Sequence, residues 1–153
     1  VTTVVTKLFH LVQPEVAVFG AKDWQQAAVV RRMIRDLNLP VRLVVAATVR
    51  ALDGLALSSR NRYLSLDERK SARVLSRTLR EARGRVRREG SLPAVALEEE
   101  LKERMSREPG VRVDYLALVH PETLEREDTA KRGVHLIMAA WVGSTRLIDN
   151  GRL

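Results

Sequence analysis

Residues 15–47 read EVAVFGAKDWQQAAVVRRMIRDLNLPVRLVVAA, and their pattern decides the fold. Glu15 to Phe19 is a short apolar run that predicts a buried strand, and Gly20 permits a turn after it. From Lys22 the apolar positions Ala27, Val30, Ile34 and Leu37 recur at helical spacing, ending near Asn38 and Pro40. Val41 to Ala47 is β-rich and mostly apolar, as an inner parallel strand is. Strand, helix and strand make a βαβ unit with a right-handed crossover. A single unit leaves a sheet edge and helix faces uncovered, so further strands are expected upstream of Val1.

On the N-terminal side, Val4, Val5, Leu8, Phe9 and Val12 predict an amphipathic helix, with Thr3 as its cap and Pro14 as its stop. On the C-terminal side, Thr48 to Arg62 is polar and turn-rich and reads as a functional loop between two domains. Ser65 and Glu68 have capping-box spacing, and Ala72, Leu75, Leu79, Ala82 and Val86 form one apolar stripe ending at Gly90. Ser91 is the expected cap of a further helix with the stripe Ala94, Leu97, Leu101 and Met105. On it Glu98 faces Lys102, and Glu100 faces Arg104. Val111, Val113, Tyr115, Ala117 and Val119 alternate as one face of a strand, followed by strands at 135–142 and 145–148. The predicted class is α/β: a parallel βαβ unit, then a small α+β domain with antiparallel strands.

Bulk properties narrow the partners. The 153 residues include no Cys, which rules out disulfides and cysteine-bound metal and fits a reducing, cytoplasmic setting. No apolar run reaches the ~20 residues of a membrane span. Val1 stands where a translated chain has Met, so the reading frame is expected to begin upstream. The net charge of +8 favours phosphate-bearing partners. Much of the excess lies in Arg69, Lys70, Arg73, Arg77, Arg80, Arg83, Arg85, Arg87 and Arg88. This segment is either a solvated helix face or, as an alternative function, a basic nucleic-acid-binding surface spanning 69–88. Aromatic residues are only 4% of the chain, which weakens the second reading, because single-strand binders stack bases on aromatics.

Two segments have the chemistry of phosphate binding. Gly20-Ala21-Lys22-Asp23 leads into a helix whose first-turn amides and lysine suit an anion, and Gln26 lies four residues beyond Lys22. The bland alternative is ordinary first-turn dipole chemistry. Leu57-Ser58-Ser59-Arg60 sets two hydroxyls beside a guanidinium, although such loops also occur in proteins that bind no nucleotide. Val49 follows a strand carboxyl end, where its backbone could meet a base edge or its side chain could simply be buried. His10, His120 and His135 lack metal-ligand spacing, so no metal site is expected in the protein itself, and His10 and His135 read as structural. Neither a P-loop motif nor a Gly-x-Gly-x-x-Gly occurs.

The segments Val5-x-Lys7-Leu8-Phe9, Phe19 to Gln26, Asp36-Leu37, Arg50, Asp53 to Asn61, and Gly143 with Arg146 to Asn150 run collinearly along the chain. Together they resemble the second half of the pantothenate synthetase family. The resemblance implies a Rossmann-like, nucleotidylyltransferase-type domain ending in residues 1–57 and a small α+β lid in 58–153. It implies ATP-dependent condensation of (R)-pantoate with β-alanine through pantoyl adenylate, with Mg²⁺, in a cytoplasmic homodimer. Carried over by position, Gly20, Ala21, Lys22, Asp23, Val49, Leu57, Ser58, Ser59 and Arg60 bind ATP. Lys22, Ser58, Ser59 and Arg60 stabilise phosphate charge, and Gln26 holds pantoate. Ala21 departs from the glutamate frequent in the family. The family's His-x-Gly-His motif belongs to an N-terminal half outside residues 1–153, so the isolated chain is expected to be inactive.

Overall fold

Gln13 adopts φ 49°, and its N–H caps the Phe9 carbonyl, ending helix α1 (Thr2–Val12) just before Pro14. Thr3 lies inside this helix; the N-cap is Val1, without a side-chain bond. The computed structural model describes residues 1–153 and falls into two compact units, Val1–Thr48 and Val49–Leu153.

In the first unit, β1 (Val16–Gly20) pairs in parallel with β2 (Arg42–Ala46), joined by α2 (Trp24–Asp36). Phe9, Val30 and Met33 pack on Ala17. The expected burial of both strands is not met. Ala17 alone is buried in β1, Val18 is 65% exposed, and β2 alternates between half-buried and exposed. A two-stranded sheet packed on one face leaves the other face open.

The second unit is built on a longer apolar stripe. Ser65 and Glu68 form the capping box in both directions (Ser65 N to Glu68 Oε2, 2.7 Å; Glu68 N to Ser65 Oγ, 3.2 Å), opening α3 (Leu66–Ala72). The helix expected to run unbroken to Gly90 is interrupted at Arg73 and resumes as α4 (Val74–Glu89). Beside the interruption Ser76 Oγ donates to the Arg73 carbonyl, a back-bond that competes with the helix ladder. Ser91 is not a cap: Ser91–Pro93 forms β3, and α5 (Ala94–Ser106) starts after Pro93. Strands β4 (Val111–Val119), β5 (Thr129–Lys131), β6 (His135–Val142) and β7 (Thr145–Arg152) complete the unit. The large sheet has the antiparallel order β4-β6-β7, and β3 pairs with β5.

Helices α4 and α5 cover one sheet face. Leu75, Leu79, Leu97, Leu101 and Met105 meet Leu116, Leu118, Leu136, Met138 and Val142 in one core. Each fully buried leucine contributes about 1.5–3 kcal/mol. The predicted alternation of β4 fails midway. The ladder pairs Val113 with Ala140 and then Tyr115 with Ala139, leaving Asp114 as a bulge. One extra residue reverses the phase, so Val111 and Val113 pack on the core but Leu116 and Leu118, not Tyr115 and Ala117, continue it.

Glu100 and Arg104 pair with the neighbouring helix rather than with each other. Lys102 does approach Glu98 (3.6 Å), but Glu100 binds Arg85 (2.7 Å) and Arg104 binds Glu81, both across the α4–α5 seam. Buried Glu98 accepts from the Leu118 N–H (2.8 Å) and from Arg126, which fastens α5 to β4.

Two predictions arise here. Gly143 sits at φ 55° in the two-residue turn between β6 and β7, and a Cβ there would collide with the Glu68 carboxylate of the capping box. Gly143→Ala is therefore expected to cost about 1–3 kcal/mol, through left-handed backbone strain and a displaced cap. Chemical denaturation measures it, and an unchanged midpoint would contradict the contact. His135 is 3% exposed, with Nε2 2.9 Å from Asn150 Oδ1. Burial lowers its pKa below the usual 6.5; the Asn150 bond opposes this, and the Arg83 and Arg152 charges reinforce it. The unfolded chain takes up this proton near pH 6.5 while the folded chain resists it. Stability is thus full above that pH and declines below it, by at most about 1.4 kcal/mol per pH unit from this group. Thermal melts of wild type and His135→Gln between pH 7.5 and 5 test it, the variant showing the shallower decline.

Candidate functional site

Both candidate segments lie where a strand or hairpin ends, but on different units. In the first unit β1 ends at Gly20, in ordinary extended conformation (φ −80°, ψ 135°), and a Cβ on it would meet nothing within 4 Å. Neither backbone strain nor packing requires a glycine here. Ala21, Lys22 and Asp23 form a 3-10 turn, and α2 starts only at Trp24. This corrects the predicted helix start at Lys22. Lys22 and Gln26 do not share one regular helix face, because the tighter turn precedes the helix. Asp23 is the N-cap of α2, makes no capping bond with its side chain, and is exposed, as is Gln26. Arg31 lies over the Trp24 ring at 5.8 Å.

In the second unit residues 49–57 fold into a tight hairpin. Leu57 N donates to the Val49 carbonyl (2.9 Å), Arg50 bridges Ala56, and Ala51 N donates to the Leu55 carbonyl (2.9 Å). Gly54 closes the turn at φ 87°. Val49 is 66% exposed, so simple burial is not its role. The hairpin brings Val49 beside Leu57, the first residue of the Ser-Ser-Arg segment. Ser58 Oγ accepts from Arg60 N (3.2 Å) and caps a 3-10 turn over Ser59–Tyr63. Ser59 and Arg60 are exposed, and Arg60 Nη1 donates to the Arg146 carbonyl (3.3 Å). Asn61 Nδ2 donates to the Ala56 carbonyl (3.0 Å), holding the turn against the hairpin.

Two charge pairs fix this hairpin. Arg50 grips Asp149 of β7 with two bonds (2.7 and 2.8 Å) and also donates to the Gly54 carbonyl (3.1 Å). The Asp149 carboxylate raises the Arg50 pKa. Asp53 accepts from the Leu55 N–H (3.1 Å) and from Arg69 Nε of α3 (2.9 Å). Partial burial opposes ionisation of Asp53, but these bonds and the Arg69 and Arg73 charges together hold its pKa below the usual range. The clamp between Arg50 and Asp149 was not legible from spacing, since 99 positions separate the partners.

A family model described as pantoate-beta-alanine ligase matches residues 1–152. The chain belongs to the pantoate-β-alanine ligase family. It is 54% identical, over its full length, to pantothenate synthetase of Anaeromyxobacter dehalogenans, covering 52% of that protein. The structure superimposes on pantothenate synthetase from Thermus thermophilus with TM-score 0.89 and 49% identity, covering 98% of this chain and 54% of that one. It also matches pantoate-β-alanine ligase of Francisella tularensis, complexed with β-γ ATP and β-alanine (TM-score 0.72, 25% identity, 99% of this chain and 48% of that one). The chain thus spans about half the length of the curated relatives it matches. The parallel βαβ unit followed by antiparallel strands is the architecture predicted for this family member.

No three His, Cys, Asp or Glu side chains are grouped to hold a metal ion, and no helix is long and apolar enough to cross a membrane.

Proposed function

We propose that this chain furnishes part of the site of a pantoate-β-alanine ligase, and the observation that carries the reading is the family match over residues 1–152. The reaction joins (R)-pantoate to β-alanine in two steps. The pantoate carboxylate attacks the α-phosphate of ATP, forming pantoyl adenylate and releasing pyrophosphate. The β-alanine amine then attacks the acyl carbon and AMP leaves. No protein nucleophile is required; alignment and stabilisation of phosphate charge do the work.

In this reading, Gly20 to Asp23 and the segment Leu57 to Arg60 line the ATP site. The bare Cα of Gly20 admits the nucleotide, and Lys22 sets a point charge against its phosphates. Asp23 approaches the ribose or the metal-nucleotide, and Gln26 holds pantoate. The Val49 carbonyl accepts from Leu57 and keeps a second lone pair, so a base edge could meet the Val49 N–H or its carbonyl. Ser58 keeps its O–H for a phosphate oxygen while its Oγ caps the turn, and Ser59 and Arg60 add donors. Mg²⁺ carried by the triphosphate fits a chain without a metal-ligand cluster, because it takes phosphate oxygens and water; it would offset charge on the nucleotide.

The whole enzyme requires chain beyond residues 1–153, carrying the His-x-Gly-His motif. Val4, Leu8, Leu11, Val16, Val18 and Val44 are exposed on the first unit, in keeping with strands and helices still to be added. A Rossmann-like domain then ends within this chain, the residues after it form a lid, and the full-length enzyme works as a cytoplasmic homodimer. The test is a chimera in which the uncovered part of the A. dehalogenans relative precedes Val1. With ATP, Mg²⁺, pantoate and β-alanine it should make pantothenate, while the 153-residue chain alone should not. A folded chimera without turnover would refute the reading.

A further inference from the structure

The arginines of α3 and α4 separate into two populations. Arg69, Arg77 and Arg85 each bind a carboxylate: Asp53, Glu108, and Glu89 with Glu100. Arg83 and Arg87, one turn apart, have no carboxylate within 4 Å, and neither have Arg132 or Arg152. These four line one open depression of about 760 Å³ at the C-terminal end of α4, floored by Val86 and Leu153.

The depression is a built feature. Arg83 Nε donates to the Arg152 carbonyl (2.8 Å), and Arg152 Nε donates to the Gly133 carbonyl (3.3 Å). Gly133, at φ 102°, lets the chain turn beneath the Arg152 guanidinium. Backbone carbonyls thus orient two of the guanidinium groups without neutralising them. The α4 carboxyl end and, in the 153-residue chain, the α-carboxylate of the lining residue Leu153 both attract cations, yet together they amount to about one and a half negative charges against four full positive ones. Like charges held this close are relieved by a bound anion.

We propose that this depression binds a small polyphosphate anion. The volume suits a small molecule rather than a polymer track. Guanidinium forks match phosphate oxygens bidentately. No aromatic side chain lines the depression to stack a base, so the phosphate chain itself is recognised. The inference goes beyond the ligase reading and does not rest on it, since none of the residues assigned to ATP lies in the lining.

Titration calorimetry of the 153-residue chain with sodium tripolyphosphate at low ionic strength tests it. Binding is expected, weakening by about tenfold or more in the exposed double variant Arg87→Glu/Arg132→Glu and persisting in Arg60→Ala. Circular dichroism and a melt confirm that each variant is folded. No binding by wild type overturns the proposal, as does binding that survives the double variant but vanishes with Arg60→Ala. ATP binding at these arginines more than about tenfold tighter than tripolyphosphate would overturn phosphate-only recognition. A single-stranded RNA that outcompetes tripolyphosphate there would replace the small ligand with nucleic acid.

Discussion

Replacing Lys22 with alanine in the active chimera is expected to lower kcat/KM for pantothenate formation by about 10²- to 10³-fold, or roughly 2.7–4 kcal/mol. The residue sits in the 3-10 turn between β1 and α2, beside a glycine whose missing Cβ leaves open space. In the proposed site a cation there would meet charge that grows on the phosphates as pyrophosphate departs, so its loss should raise the barrier more than it weakens ground-state binding. The expected split is therefore a fall in kcat with a smaller change in KM for ATP. Lys22→Arg keeps the charge but not the compact ammonium, and should recover part of the rate. A Lys22→Ala chimera with unchanged kcat/KM would remove Lys22 from the mechanism.

Asp149→Ala is expected to cost the second unit about 2–4 kcal/mol. Asp149 is 2% exposed and accepts two bonds from Arg50 and one from the Asn150 N–H (2.8 Å). Truncation leaves the Arg50 guanidinium with the Gly54 carbonyl alone. The Arg50 side chain is 29% exposed, so water recovers part of the loss and the full cost of an isolated buried charge is not reached. For a unit of this size the melting temperature should fall by about 10–20 °C. The same clamp holds Val49 and Leu57, so the hairpin amides should exchange with solvent faster in the variant. A melting temperature within about 2 °C of wild type would show that the clamp carries no stability.

The parts of the fold set by local periodicity were legible in the sequence. The α4 and α5 stripes, the capping box at Ser65 and the parallel strand–helix–strand order all depend on neighbours within a few positions. Features set by distant partners were not. The Asp114 bulge inverts the face of β4 without altering the apolar alternation of its residues. Glu100 and Arg104 have good helical spacing, yet each finds a partner on α4. Ser91 looks like a cap, but pairing with Lys131 draws it into a strand. The candidate site divides in the same way. Its residue types were readable, whereas the 3-10 turn at Lys22 and the hairpin clamp needed tertiary contacts.

Pantoate-dependent exchange of label between pyrophosphate and ATP, without β-alanine, isolates the adenylation step that these loops are assigned. The chimera should catalyse this exchange, lose it when pantoate is omitted, and show it sharply reduced in Ser58→Ala/Arg60→Ala. Exchange at an enzyme-like rate by residues 1–153 alone, or exchange in the chimera indifferent to Lys22, Ser58 and Arg60, would contradict a site shared between this chain and the rest of the enzyme.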